Sequence, residues 1–452
     1  MDLYGKKTLW SFMDEEQRNI TQSPTNLSFK AHPMTPILEN DPQMSPARPS
    51  SASMISLTPS TPDSPWTLSP LHPTPSPPLF YHCLASLHRH DGNVFSIAIS
   101  KGLVFTGSES HRIRLWRQPD CTERGHISAS SSEVRAMLAT GSTLFTTHKD
   151  RKIRIWSVSL SDHLKYRKVT TLPEKKAPLI SFSKAQPRQK HKDTISCIAY
   201  YHAEGLLYTG SWDKTVKVWS LSEKKCVDSF VAHDDYINSI VVNQEDGFLF
   251  TASSDGSIKI WRRVYGETSH TLTMSLRFQP SPVNALALSS SHSSCFLYSG
   301  SSDGFVNYWE KEALSGRYNH SGFLQGHRFA VLCLATIEKL VFSGSEDTTI
   351  RVWRRAEASG FHSCLAVVEG HRGPVKCLAA CLEMEKVVRG VLVYSASLDR
   401  MVKVWRIKMF GEEKSVGMNE AEKMELNKKL LEYETSPVLS PSWVERKLHG
   451  LH

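Results

Sequence analysis

A twelve-residue pattern of apolar and polar positions recurs seven times along the chain. Each copy begins with an aromatic residue in a short apolar run, passes through a turn and ends in an alternating run that closes on Trp. The turn carries Asp in six of the seven copies. The closing residues are Trp116, Trp156, Trp219, Trp261, Trp309, Trp353 and Trp405. The pattern predicts two strands joined by a tight turn, repeated seven times.

The spacing of the copies indicates how these strand pairs are arranged. Successive closing tryptophans lie 40, 63, 42, 48, 44 and 52 residues apart. A period of roughly 40–45 residues with four short strands per unit is typical of a β-propeller blade. We therefore predict an all-β fold, a seven-bladed propeller over residues 80–407. On these motifs the chain resembles the WD-repeat family.

That resemblance implies a hydrogen-bonded chain of His, Ser or Thr, Asp and Trp inside each blade, because buried polar groups need partners. Four units have the complete pattern: His191, Thr209, Asp213 and Trp219; His233, Thr251, Asp255 and Trp261; His327, Ser343, Asp347 and Trp353; His371, Ser395, Asp399 and Trp405. The first unit has Ser110 in place of Asp, and the second and fifth have Ser130 and Gln279 in place of His. We expect apolar packing to hold those three blades more than polar contacts do.

Recurring His, Ser and Asp also suggest a hydrolase. A catalytic triad, however, occurs once and has an exposed nucleophile, whereas this set recurs with Trp at a fixed place relative to the strands. The chain has no phosphate-binding GxxxxGK[ST] loop and no HExxH motif. Its closest cysteine pair, Cys377 and Cys381, lacks a second pair or a His beside it. We predict no enzyme activity, cofactor or metal.

The segment Cys83–His90 has the pattern of an outer strand. Cysteine lies seven residues before a leading His here, as it does in Cys226–His233 and Cys364–His371. In the WD-repeat family that position belongs to the outer strand of the preceding blade. Because no blade precedes the first copy, we expect Cys83–Leu87 to complete the seventh blade and close the ring.

The flanks differ from the propeller in composition. Residues 1–79 are rich in Ser, Thr and Pro and are predicted to be disordered. This segment is either a plain tail or a substrate of proline-directed kinases, at the pairs that begin at Ser23, Thr35, Ser45, Thr58, Thr61, Ser64, Ser69, Thr74 and Ser76. Residues 408–452 form a C-terminal tail, with a partial helical face over 419–433.

Charge is concentrated in one place. The net charge is +9, and residues 165–192 hold nine Lys or Arg against Glu174. We predict a basic insertion over 157–190, after the second blade. The chain does not begin with a basic stretch followed by an apolar run, and no segment approaches the ~18 apolar residues of a spanning helix. A cytoplasmic or nuclear protein without membrane contact is expected.

The WD-repeat resemblance implies a partner-binding face around the central channel. Carried over by position, its candidates are Phe95, Arg135, Lys149, Trp212, Tyr236, Asn238, Leu332, Lys376 and Leu398. Trp212 is a large aromatic residue at a turn tip, where it either anchors a partner or packs over its own blade. Arg135, Lys149 and Lys376 predict a basic rim suited to an acidic or phosphorylated peptide.

Three functions stay open: a protein-interaction scaffold, a nucleic-acid-associated basic propeller and a substrate receptor of a ubiquitin ligase. We favour the scaffold, because the insertion has few aromatic residues for stacking on bases. The run Ser64–Cys121 and the stretches HDDYINSI and EGHRGPVKCL resemble the plant WD-repeat family that includes JINGUBANG. That resemblance implies a plant developmental adaptor with a transcription-factor partner, as in repression of pollen germination.

Overall fold

The computed structural model describes residues 79–88, 91–129, 133–160, 163–174, 190–291, 294–356, 360–384 and 389–409. Within these ranges the chain forms 28 β-strands and no helix, so no helix there could cross a membrane. The strands make seven four-stranded antiparallel sheets. The predicted all-β, seven-bladed propeller is confirmed.

The strands follow the chain in a regular order of four per blade. Strand β1 (Leu79–His88) comes first. Blade 1 consists of β2 (Val94–Ser100), β3 (Leu103–Ser108), β4 (Arg112–Arg117) and β5 (Glu123–Ser128). Blade 2 consists of β6 (Val134–Thr140), β7 (Thr143–His148), β8 (Ile153–Leu160) and β9 (Leu164–Leu172). Blade 3 consists of β10 (Ile195–Tyr201), β11 (Leu206–Ser211), β12 (Thr215–Ser220) and β13 (Lys225–Val231).

Blades 4 to 6 repeat this order. Blade 4 consists of β14 (Ile237–Val242), β15 (Leu249–Ser253), β16 (Ile258–Arg263) and β17 (His270–Leu276). Blade 5 consists of β18 (Val283–Ser291), β19 (Ser294–Ser301), β20 (Val306–Lys311) and β21 (Tyr318–Leu324). Blade 6 consists of β22 (Val331–Ile337), β23 (Leu340–Ser345), β24 (Ile350–Arg355) and β25 (His362–Val368). Blade 7 has only three strands of its own, β26 (Val375–Met384), β27 (Arg389–Ser397) and β28 (Met401–Met409).

Strand β1 supplies the fourth strand of blade 7. It pairs antiparallel with β28, in the order β1-β28-β27-β26. Cys83 lies opposite Trp405, as Cys226 lies opposite Trp219 in blade 3. The recurring cysteine therefore marks the outer strand, and the first and last parts of the propeller share one sheet. The predicted closure of the ring is confirmed.

The hydrophobic core consists of seven apolar clusters, one at each boundary between neighbouring blades. Each closing Trp lies in the cluster shared with the preceding blade; Trp116, for example, packs with Tyr394 and Val404 of blade 7. A sheet covered on both faces buries every residue of its central strands, as in Leu206–Ser211. The apolar runs in the sequence reflect this two-sided burial.

The structure changes some predicted boundaries. The propeller runs from Leu79 to Met409, slightly beyond 80–407. The predicted insertion at 157–190 is too long, because its first part is the end of β8 and all of β9, the outer strand of blade 2. Residues 175–189, the segments 1–78 and 410–452, and the leading residues His90 and Ser130 lie outside the described residues.

Candidate functional site

The four complete polar sets are hydrogen-bonded as the sequence suggests. In blade 3 the Trp219 indole N–H donates to the Thr209 hydroxyl at 2.9 Å, and that oxygen lies 2.9 Å from Nε2 of His191. His191 Nδ1 in turn lies 3.0 Å from Oδ2 of Asp213. The corresponding distances in blades 4, 6 and 7 are 2.7–3.0 Å. These side chains fix the turn to the strands beside it.

The polar set of blade 3 also has a defined charge state. Burial lowers the pKa of His191 despite its bond to Asp213. Burial by itself would raise the pKa of the Asp213 carboxyl, but the bonds from His191, Thr215 and the Lys192 N–H outweigh it, and the pKa is lowered. Neutral His next to a carboxylate is therefore the stable arrangement. The hydroxyl is buried, with no access for a substrate.

Blade 2 replaces the missing leading His by another residue. His148, at the end of β7, is fully buried, and its Nε2 lies 2.8 Å from the Thr146 hydroxyl. Trp156 donates to the same hydroxyl at 3.0 Å, and Arg154 donates to Asp150 at 2.8 Å. The expectation that blade 2 depends mainly on apolar packing is therefore wrong. A His at this turn, where the other copies have Ser, was the signal in the sequence.

The turn face is the surface formed by the turns between the second and third strands of each blade and by the loops that lead into the first strands. In all seven blades the turn-tip N–H donates to a carbonyl of the preceding loop, at 2.9–3.1 Å; the donors are Glu109, Lys149, Trp212, Ser254, Ser302, Glu346 and Leu398. This repeated bond holds the turn tips in equivalent positions. The turn face is thus a preformed surface.

The nine candidate partner-binding residues differ in exposure. Lys149 is exposed, and Tyr236, Asn238 and Leu398 are half-buried. The other five are buried within the chain: Phe95, Arg135, Trp212, Leu332 and Lys376. A partner at the turn face could therefore reach fewer of these side chains than the sequence suggests.

Among these candidates, Trp212 departs most from its predicted role as an exposed anchor for a partner. Its side chain is only 7% exposed, and its ring centroid lies 5.7 Å from that of Tyr236 on the next blade. The indole packs into the blade boundary because the neighbouring loop covers it. Replacing a buried Trp by Ala typically removes about 3–5 kcal/mol of stability. Of the two alternatives for Trp212, the structure favours packing within the ring over an exposed partner anchor.

The rim is also not uniformly basic. Both cations at blade 2 are bound by one carboxylate, since Glu133 contacts Lys149 Nζ and Arg135 Nη2 at 2.8 Å each. Arg135 also lies over the Phe95 ring, 4.7 Å from its centroid. The structure thus corrects the predicted basic rim to a surface of mixed charge. Of the three predicted rim cations, Lys149, whose side chain is 51% exposed, is the one accessible to a partner.

Asn238 has a structural task that the sequence did not reveal. Its amide donates to the Val283 carbonyl of blade 5 and to the Ser254 hydroxyl, both at 3.0 Å. Asn284 makes the equivalent bond to the Val331 carbonyl of blade 6. These amides connect the inner strands of consecutive blades. Their donors are used within the ring rather than offered to a partner.

Lys376 is a buried cation in the inner strand of blade 7. Its pKa is lowered to about 7, mainly because burial disfavours the charged form; Cys333, Cys377 and Glu346 partly oppose this, and the Arg135 charge adds to it. The unfolded side chain keeps its proton up to its ordinary value of 10.5. The folded chain therefore binds fewer protons between about pH 7 and about pH 10, and stability rises with pH over that window.

We expect Lys376→Met to raise the melting temperature at neutral pH. Replacing a buried ion by an apolar side chain of similar size often adds about 1–4 kcal/mol of stability. The gain should shrink toward about pH 10, because the unfolded lysine then begins to lose its proton as well and folding no longer has to release one. Thermal melts across this pH range test this, with the exposed Lys149→Met as control. An equal gain at both ends of the range would contradict the explanation.

One exposed aromatic residue on the turn face was missed by sequence reasoning. Phe329, in the loop before β22, is 59% exposed, and its carbonyl accepts a bond from the Ser345 hydroxyl at 3.1 Å. The backbone is thus fixed while the ring faces solvent. The corresponding residues of blades 3 and 4 are Asp193 and Asp235. An aromatic residue at a position of small or acidic residues was the signal.

Within the described ranges, no group of His, Cys, Asp or Glu could hold a metal ion. On the turn face, four His–Asp pairs and the cluster of Glu133 with Arg135 and Lys149 are joined in ion pairs and polar networks of the blades. The turn face therefore offers aromatic and charged side chains on a rigid surface, which suits the binding of another macromolecule.

Comparison with known proteins agrees with this architecture. The chain is 28% identical to pre-mRNA-processing factor 19 of Bos taurus, Mus musculus and Rattus norvegicus over 155 residues, which is 33% of this chain. It spans only about a quarter, 27%, of the length of these curated relatives. The family model for the WD domain, G-beta repeat, matches seven segments, at 81–117, 118–157, 184–220, 224–262, 270–310, 318–354 and 362–406. With seven matched repeats and seven closed blades, the chain belongs to the WD-repeat family.

Proposed function

We propose that this chain is a non-enzymatic protein-interaction scaffold that binds a segment of a partner protein on its turn face. WD-repeat propellers generally bind protein partners and generally do not catalyse reactions. The turn face has the rigidity that a binding surface needs, because a backbone bond fixes each turn tip.

The exposed ring of Phe329 is the observation that carries this proposal. Folding gains little from an aromatic side chain that is mostly in water, whereas aromatic residues dominate the energetics of interfaces. Half-buried Tyr236 and exposed Lys149 lie on the same face. A partner segment with an apolar residue and a carboxylate or phosphate would match this surface, the phosphate or carboxylate pairing with Lys149.

Capture of partners by the tagged full chain, from the cells in which it is made, tests the proposal. We expect Phe329→Ala to weaken binding of the main partner roughly thirtyfold, because loss of a buried aromatic anchor typically costs at least ~2 kcal/mol of binding free energy. Lys149→Glu should weaken the same partner, and more so at low salt. Both side chains face solvent, so the melting temperature should change little.

The matched control is Tyr265→Ala. Tyr265 is a fully exposed aromatic residue in the turn between β16 and β17, away from the turn face. Its replacement should leave the captured partner unchanged. If Tyr265→Ala releases the partner while Phe329→Ala and Lys149→Glu do not, binding lies elsewhere and the turn face is not the site.

Nucleic-acid binding is the second candidate, and strand β9 favours it. Lys165, Arg167 and Lys168 are exposed on this outer strand beside the exposed ring of Tyr166. Such a strand would bind phosphates in a salt-sensitive, non-specific way. Nuclease treatment of the captured material separates the candidates, since a partner held through nucleic acid would be lost and a partner on the turn face would stay.

We also propose a narrower role, as a plant developmental adaptor in the cytoplasm or nucleus that acts with a transcription factor. Its support is the resemblance of Ser64–Cys121 to the plant family that includes JINGUBANG. All nine cysteines are free thiols, as a reducing compartment requires. Identification of the captured proteins tests this role. A set of partners without a transcription factor would count against the adaptor role but not against the scaffold.

A further inference from the structure

Blade 5 keeps the turn carboxylate of the polar set but has lost the groups that bind it elsewhere. In blade 3, Asp213 accepts bonds from His191, from the Lys192 N–H at 2.7 Å and from the hydroxyl of Thr215. The corresponding residues of blade 5 are Gln279, Pro280, which has no N–H, and Phe305.

The cation near this carboxylate is missing as well. Two residues before the closing Trp, the other six blades have a basic residue: Arg114, Arg154, Lys217, Lys259, Arg351 and Lys403. Blade 5 has Asn307 instead. Arg154 shows what such a residue does, since it is ion-paired with the turn carboxylate of blade 2 at 2.8 Å. Blade 5 therefore retains the turn acid without the basic residue that the other blades carry on their third strand.

Two polar atoms of blade 5 lack partners as a result. The Oγ of Ser299 and the Oδ2 of Asp303 are buried and have no hydrogen-bond partner among the described residues. In every other blade the Trp indole donates to the hydroxyl at this position, at 2.8–3.1 Å. Ser299 is only 1% exposed. Leaving such atoms unpaired costs about 1–3 kcal/mol each.

Both residues line a small cavity at the boundary between blades 4 and 5. Its volume is about 10 Å³, and Ser299, Asp303, Asn307 and Trp309 line it. A cavity of this size holds one group as large as a water molecule. A lysine ammonium is a compact donor of three hydrogen bonds. The planar guanidinium of arginine is considerably larger.

The rim of the cavity is aromatic. Phe278 lines the cavity, is partly exposed and stacks on His320 with ring centroids 4.2 Å apart. Phe323, 42% exposed, lies beside Phe278 and Phe305. Arg277, also at the rim, is held by its bond to the Asp255 carbonyl. The methylene groups of a lysine side chain would lie on these rings as its ammonium enters.

We propose that this cavity is a second binding site, separate from the turn-face anchor Phe329, that receives the lysine ammonium of a partner peptide. The ammonium donates to Asp303 Oδ2 and Ser299 Oγ, the two groups whose counterparts contact an imidazole in blades 3, 4, 6 and 7. Phe278, His320 and Phe323 receive the apolar part of that peptide.

A library of random displayed peptides, selected on the full chain, tests this site. Peptides that use the cavity should contain Lys, and replacement of that Lys by Arg should abolish their binding. Asp303→Asn removes the charge at nearly constant shape and should weaken binding of these peptides at least about tenfold. The double change Gln279→His with Phe305→Thr rebuilds the polar set, so the new imidazole should bond Asp303 and Ser299 itself and abolish binding.

Lys149→Glu and Phe329→Ala on the turn face are the controls, and these peptides should bind both variants as they bind the unaltered chain. This separates the cavity from the site of the proposed function. Peptides without Lys, or peptides that bind the rebuilt blade as tightly as the original, would overturn the proposal. Recovery of no Lys-dependent peptide would overturn it as well.

Discussion

A chain that begins at Asp91 should melt at a temperature roughly 10 °C or more below that of the full chain. The missing strand β1 is the outer strand of blade 7, and without it the hydrogen-bonding edge of β28 is exposed. Leu84, Ala85 and Leu87 would also be lost from the apolar cluster between blades 7 and 1. An open ring of this kind should self-associate through its free edge, because unpaired strands add further strands.

A chain that begins at Leu79 is the matched control, since it keeps all of β1. It should melt like the full chain and behave as the same species in size-exclusion chromatography. Calorimetric melts of the three chains give the comparison. Equal melting of the chains that begin at Leu79 and at Asp91 would show that closure by β1 contributes little to stability.

The second large effect is expected for Asp213→Ala. This change leaves the His191 N–H, the Lys192 N–H and the Thr215 hydroxyl without their acceptor inside the blade. Of these donors only the His191 N–H is fully buried, and an unsatisfied buried donor costs about 1–3 kcal/mol, so we expect a loss of about that size. Because the folded pKa of Asp213 is lowered, its contribution is complete above the ordinary Asp value and disappears as pH falls through the folded pKa. The difference in the free energy of unfolding between Asp213→Ala and the unaltered chain should therefore become smaller in strong acid.

Asp303→Ala in blade 5 is the control for this prediction. Asp303 stands at the same turn position but accepts one bond, from the Phe305 N–H at 3.0 Å, while its second oxygen has no partner among the described residues. Its loss should change the melting temperature little. If both substitutions lower it equally, the hydrogen-bonded sets do not carry the stability that their geometry suggests.

Much of the fold was predictable because it depends on local order in the sequence. Alternating apolar and polar residues and the residues of each turn predicted the strand pairs. The spacing between successive copies predicted that each copy belongs to one blade. Even the closure of the ring, a contact between distant segments, was readable, because Cys83 and His90 repeat the spacing of Cys226 and His233. The complete polar sets could be found in the same way, since their members recur at fixed offsets.

The binding surface was less predictable. The sequence places Trp212 at a turn tip, but the neighbouring blade determines whether the ring is covered. The charges of Arg135 and Lys149 were visible, but their ion pairs with Glu133 depend on how the turn and the loop of blade 2 meet. Phe329 could be recognised as an anchor only once its exposure was known.

The sequence by itself therefore determined the number of blades, the strand order, the closing strand and the blades with complete polar sets. Each of these features follows from a local residue pattern that recurs along the chain. Tertiary structure alone decided which side chains are buried, that His148 serves in place of the leading His, and that Ser299 and Asp303 line one cavity between blades 4 and 5. The physical reason is that burial and hydrogen-bond partners are set by groups far apart in the chain, which meet only when neighbouring blades pack.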